Sequence, residues 1–157
     1  MTERAPCIDP EFGEFDFWLG EWDLTWPAEQ TGGRLGETGN GTNHVERLFG
    51  RCGIEESFST DDGGFQGHSV SVFDPAARLW RQTWVDSSGG YLLFTGRNAN
   101  DRMELRTAPT ERDGHTVVNR MVFRDIADNS LRWDWQRTQD DGETWADLWN
   151  ITYSRRS

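Results

Sequence analysis

From position 20 onward the chain reads as short runs in which large apolar side chains alternate with polar ones, and turn formers break each run after about eight to ten residues. Ten runs can be marked: 21–26, 42–49, 54–60, 66–73, 79–86, 91–97, 102–108, 115–124, 131–139 and 145–154. A period of two sends successive side chains to opposite faces of a strand, so each run predicts a half-buried β-strand. The breaks carry matching turn chemistry. Gly63-Gly64, Asp74-Pro75, Gly89-Gly90, Asp113-Gly114 and Asp141-Gly142 supply the positive or fixed φ that tight hairpins need. Short connections make sequential strands antiparallel, and the pattern predicts an all-β fold: an up-and-down antiparallel barrel of about ten strands. Only 11–19 could form a short helix, placed to plug one end, while the glycine-rich stretch 27–41 predicts a mobile loop at the barrel mouth.

With 157 residues, such a barrel uses the whole chain as one domain, with 1–16 as its N-terminal segment. The first twelve residues carry charges and two prolines and no apolar run, and no later stretch is long enough to span a bilayer. The expected location is therefore the cytoplasm, with no membrane partner. Cys7 and Cys52 are too few for a disulfide framework and have no metal-type spacing, so two inert thiols are expected, as in a reducing compartment. The net charge of −11 excludes a nucleic-acid partner, which would require clustered positive charge. All 16 basic residues are arginine, and without lysine there can be no Schiff base, pyridoxal phosphate attachment or P-loop. The nine tryptophans and nine phenylalanines mean that the core, or the lining of a cavity, is largely aromatic.

Phase selects the candidate chemistry. Trp80, Gln82, Trp84 and Asp86 share one strand face, and turning two indoles inward buries the most surface, with Gln82 as a ligand-orienting amide. Glu56 alternates with Ile54 and Phe58. An inward Glu56 would either have its pKa raised by desolvation, making it a general acid or base, or pair with Arg47, Arg81 or Arg137. Asp86 is the second catalytic candidate, although an aspartate before Ser87-Ser88-Gly89-Gly90 also suits a turn cap. Asn43, Ser69, Ser71, Phe73 and Trp135 complete the expected ligand wall. Ser69 and Ser71 lie opposite His68 in phase, which argues against a Ser–His pair within that strand. With no HxH, HExxH or cysteine cluster, no metal site is expected, and the absence of GxSxG and GxGxxG removes the usual hydrolase and dinucleotide signals.

The run Phe17-Trp18-Leu19-Gly20-Glu21-Trp22-Asp23 resembles the first strand of lipocalins and their calycin relatives, through Gly20-x-Trp22. That resemblance implies a closed end where an arginine of the last strand, here Arg155 or Arg156, packs over Trp22. Together with Gly53-Ile54-Glu55-Glu56, Phe73-Asp74-Pro75, Trp80-Arg81-Gln82-Thr83-Trp84-Val85-Asp86, Gly89-Gly90 and Asp140-Asp141-Gly142-Glu143-Thr144-Trp145, it resembles a bacterial family of lipocalin-like domains of unknown function. The family implies a fold and no reaction. Thr138-x-Asp140-x-Gly142-x-x-Trp145 resembles an Asp-box hairpin, a folding device. The haem-binding nitrobindins are similar in size, but they place an axial histidine in the last strands, where His44, His68 and His115 do not lie; no cofactor is expected.

Two readings follow. The first is a module that binds a small, largely apolar or aromatic molecule inside the barrel. The second is a cofactor-independent isomerase, cyclase, dehydratase or hydrolase that uses a pocket carboxylate. A third, a ligand-free structural barrel, would call for a filled interior. Ligand, reaction and oligomeric state stay open.

Overall fold

A computed structural model describes residues 7–156, so the first six positions of the expected N-terminal segment lie outside the described residues. All ten anticipated runs are strands: β1 (Gly20–Pro27), β2 (Thr38–Leu48), β3 (Gly53–Thr60), β4 (Gln66–Asp74), β5 (Leu79–Asp86), β6 (Tyr91–Ala99), β7 (Arg102–Thr107), β9 (His115–Arg124), β10 (Ser130–Thr138) and β11 (Ala146–Arg155). These ten pair in chain order, and β11 returns to β1, closing an antiparallel barrel. Closure leaves them no free edge. The short β8 (Thr110–Arg112) pairs only with the start of β9, as a small hairpin beside the barrel.

Phase decides what lies inside. Trp22, Leu24 and Trp26 of β1, Ser69, Ser71 and Phe73 of β4, and Trp80 and Gln82 of β5 are buried on the inner face. Sliding any of these strands by one residue would put the whole set in water.

The closed end is filled by the N-terminal segment. The short helix expected over 11–19 takes the form of two 3₁₀ helices, Pro10–Gly13 and Asp16–Trp18. Phe12, Phe15 and Trp18 recur every third residue, and the three-residue turn of a 3₁₀ helix stacks such positions on one side. Their rings enter the barrel, with Phe15 edge-on to both Trp80 and Phe123 at 5.2 Å and Phe12 edge-on to Phe73 at 5.2 Å. The Trp22 indole donates to the Trp18 carbonyl at 2.8 Å, tying this plug to β1. Arg155 lies over the Trp22 ring at 4.1 Å and donates to the Leu19 carbonyl at 2.7 Å and the Asp128 carbonyl at 2.9 Å. Gly20 sits beneath that guanidinium at φ 126°, where a Cβ would be strained and would collide with Nη1. Arg156 instead pairs with Asp23 on the outside.

Two expectations need correction. Cys7 and Cys52 are not free thiols but a disulfide, which joins the start of the plug to the β2–β3 turn at the closed end. Such bridges are rare in the cytosol, so the cysteines give no support to a cytoplasmic location. The stretch 27–41 is not one loop: Ala28–Thr31 forms a 3₁₀ turn, and the strand β2 begins at Thr38. Two of the glycines that suggested mobility, Gly39 and Gly41, have a packing role. The Trp26 indole lies flat against Gly39 and Gly41, and a side chain at Gly39 would occupy the space of that ring. Among the described residues, no helix is long and apolar enough to cross a membrane.

Candidate functional site

β2, β3 and β4 set Asn43, Glu56 and Ser69 side by side on the inner wall, because Glu56 is opposite Ser69 and Asn43 is opposite Phe58 two residues along. Ser69 Oγ donates to Glu56 Oε1 at 2.6 Å, and Asn43 Nδ2 donates to Glu56 Oε2 at 2.7 Å. The same Nδ2 reaches the Tyr153 hydroxyl at 3.0 Å, across β1 from β11. One level closer to the plug, Gln82 Nε2 donates to Ser71 Oγ at 2.9 Å. The Asn43 Oδ1 and Gln82 Oε1 acceptors have no protein partner.

Glu56 is 6% exposed and has no basic partner among the described residues. The three arginines considered for it are engaged elsewhere: Arg47 with Asp16 at 2.8 Å, Arg81 with Asp74 at 3.1 Å, and Arg137 with Asn119 at 2.9 Å. The ion-pair alternative is therefore corrected. Burial pushes the Glu56 carboxyl up, the hydrogen bonds from Ser69 and Asn43 pull it partly back, and it comes to rest at about 7. Burial, together with the nearby Glu56, also raises the Tyr153 hydroxyl, which therefore stays protonated.

Glu56 and Tyr153 open onto an interior cavity of about 170 Å³. Trp18 and Phe123 form its floor, at 5.1 Å from each other. Trp133 and Trp135 stand along one side with their rings parallel at 6.4 Å, and Trp149 meets Trp133 edge-on at 5.9 Å. Phe94, Met121 and Ile151 fill the remaining wall. Toward the open end, Phe58, Phe65, Trp84 and Leu92 narrow the mouth, where Phe65 and Trp84 stack at 6.5 Å. A comparable apolar void of about 150 Å³ holds benzene, so this space fits a compact molecule built on one ring.

The sequence candidates divide by depth. Glu56, Asp86, Trp84 and Trp135 line the cavity. Asn43 and Ser69 stand behind Glu56 as its donors, and Ser71 and Gln82 form the next polar pair below. Phe73 and Trp80 face inward too, but the plug covers them, and they belong to the closed-end core. Asp86 is at the mouth, where it accepts from Trp84 Nε1 at 2.8 Å, Ser88 N at 2.9 Å and Gly90 N at 2.9 Å. Burial pushes its carboxyl up, but the bonds from Ser88, Trp84 and Gly90 outweigh this and hold it below its ordinary value. It thus caps its turn and stays ionised. Asp140 likewise serves its hairpin, accepting from Thr138 and Thr144, while Trp145 packs against the guanidinium of Arg120 at 3.9 Å.

Sequence reasoning missed Tyr153, Trp149 and Trp133. Alternation in the last two strands was a usable signal for them, since Trp149, Ile151 and Tyr153 share a phase. Trp18 had no such signal because it arrives from an irregular segment. His44, His68 and His115 are absent from the cavity lining, and no cluster of metal-ligand side chains occurs among the described residues.

The chain belongs to the family described as protein of unknown function (DUF1579), which matches residues 15–155 and so takes in the second half of the plug and the whole barrel. No curated protein matches it.

Proposed function

We propose that this barrel binds a small, largely apolar or aromatic molecule in its interior. The observation that carries the reading is the cavity itself: aromatic faces on most sides and, at one place, the Glu56–Asn43–Ser69–Tyr153 group to orient a polar end. Gly20-x-Trp22 under Arg155 is in keeping with the lipocalin-like resemblance, and barrels of that kind use their interiors for ligands. The open interior weighs against a ligand-free structural barrel. A cytoplasmic location has the disulfide against it.

Glu56 favours a second reading, a cofactor-independent enzyme. A carboxyl resting at about 7 in an aromatic cavity can hold or release a proton at physiological pH, which is what general acid–base catalysis requires. Asp86 does not share that property, because its oxygens are committed to the turn and to Trp84.

Tryptophan fluorescence tests the binding reading. Titration with benzyl alcohol is expected to change the emission saturably, and Trp84→Ala to weaken that binding about tenfold by removing one mouth-side ring. Unchanged affinity in a folded Trp84→Ala protein would move the ligand out of this cavity.

A further inference from the structure

We infer that the molecule held in this cavity is a small organic amine, bound as its ammonium ion with the charge at Glu56 and the apolar body between the indole rings. The inference rests on the binding reading above and adds the chemical class of the ligand.

Among the described residues, the cavity lining holds two carboxylates, Glu56 and Asp86, and no basic side chain. Glu56 is the more telling of the two. It receives two neutral donors, Asn43 and Ser69, and no cation, although a buried carboxylate is ordinarily matched by one. Of the chain's 16 arginines, none among the described residues lines this space. Among the described residues this buried carboxylate has no positive partner, whereas buried Asp134 has Arg124, and the cavity leaves room for one at Glu56.

The rings supply the second condition. Ammonium groups are attracted to the faces of tryptophan, tyrosine and phenylalanine, and desolvated cages of such rings recognise organic cations. Trp133, Trp135, Trp149, Phe58 and Tyr153 line the same cavity as Glu56. A cation there gains from the rings and the carboxylate at once, whereas an anion is repelled by both. Longer-range charge acts in the same direction. Asp86 stands ionised at the mouth, and the net charge of −11 draws cations toward the protein and turns anions away.

One feature competes with this assignment. The buried Trp18 and Trp149 Nε1 groups of the lining have no acceptor and would welcome a neutral oxygen. A hydrogen bond to an ionised group is about twice as strong as one between neutral groups, so the ammonium–carboxylate contact dominates the choice. An oxygen elsewhere on the amine could still meet Trp149.

Benzylamine, benzyl alcohol and benzoate share one ring and nearly one shape and differ in charge. Each is titrated into the oxidised, unmodified protein at pH 8 by calorimetry. Benzylamine is expected to bind about tenfold tighter than benzyl alcohol, with benzoate the weakest of the three. Glu56→Gln is expected to bring benzylamine down to the level of benzyl alcohol. Benzyl alcohol binding as well as or better than benzylamine would overturn the amine assignment and leave the cavity reading standing. Binding of none of the three would overturn both. The ranking on the unmodified protein decides the matter even if the variant does not fold.

Discussion

Replacing Glu56 by glutamine is expected to stabilise the protein above pH 7 by about 3 kcal/mol and to flatten its stability between pH 5 and pH 8. In the unfolded chain this carboxyl has its ordinary value of 4.5, and in the barrel burial raises it to about 7. Between those values the folded protein holds a proton that the unfolded chain has lost, so stability falls as pH rises through this window. The interval corresponds to about 3 kcal/mol of stability that is fully present below pH 4.5 and fully lost above pH 7. Glutamine keeps the shape and carries no charge to desolvate. Its amide can still be satisfied, because turning the Asn43 side chain over presents the unpartnered Oδ1 to it. Urea midpoints of both proteins at pH 5 and pH 8 measure the effect. Parallel pH profiles would remove Glu56 from this role.

Breaking the Cys7–Cys52 bridge is expected to cost about 4 kcal/mol, on the loop-entropy scale for a separation of 45 residues. The bridge anchors the segment that carries Phe12, Phe15 and Trp18 into the closed end, so its loss also loosens the cavity floor. Cys52→Ser and the wild-type protein under reductant should show the same drop in urea midpoint. An unaltered midpoint in reductant, with the thiols shown to be free, would mean that aromatic packing alone holds the plug.

Local pattern accounts for what could be read in advance. Ten strands, the turns between them and the inward phase of Glu56, Gln82 and Trp84 follow from alternation and turn residues, which depend only on near neighbours. What could not be read depends on closure. Tyr153 meets Asn43 only because β11 returns to β1, whose far side pairs with β2. The missing arginine at Glu56 is of the same kind, since Arg47 and Arg81 find carboxylates at the closed end that the strand pattern does not place. Two cysteines 45 residues apart say nothing of distance until the β2–β3 turn and the plug are brought to the same end. The short helical plug was legible as such, and its every-third-residue rings give it the form of two 3₁₀ turns. The β8 strand, Thr110-Glu111-Arg112, has no apolar residue to announce it.

The central claim is that a compact aromatic molecule occupies the barrel interior, and the indole N–H resonances report on it residue by residue. The chain has nine tryptophans, of which Trp18, Trp84, Trp133, Trp135 and Trp149 line the cavity while Trp22, Trp26, Trp80 and Trp145 do not. In a ¹H–¹⁵N correlation spectrum titrated with benzyl alcohol or benzylamine, saturable shifts should concentrate in the five lining indoles and spare Trp22, Trp80 and Trp145. Shifts confined to Trp145 on the surface hairpin, or no shifts up to millimolar ligand, would contradict the account.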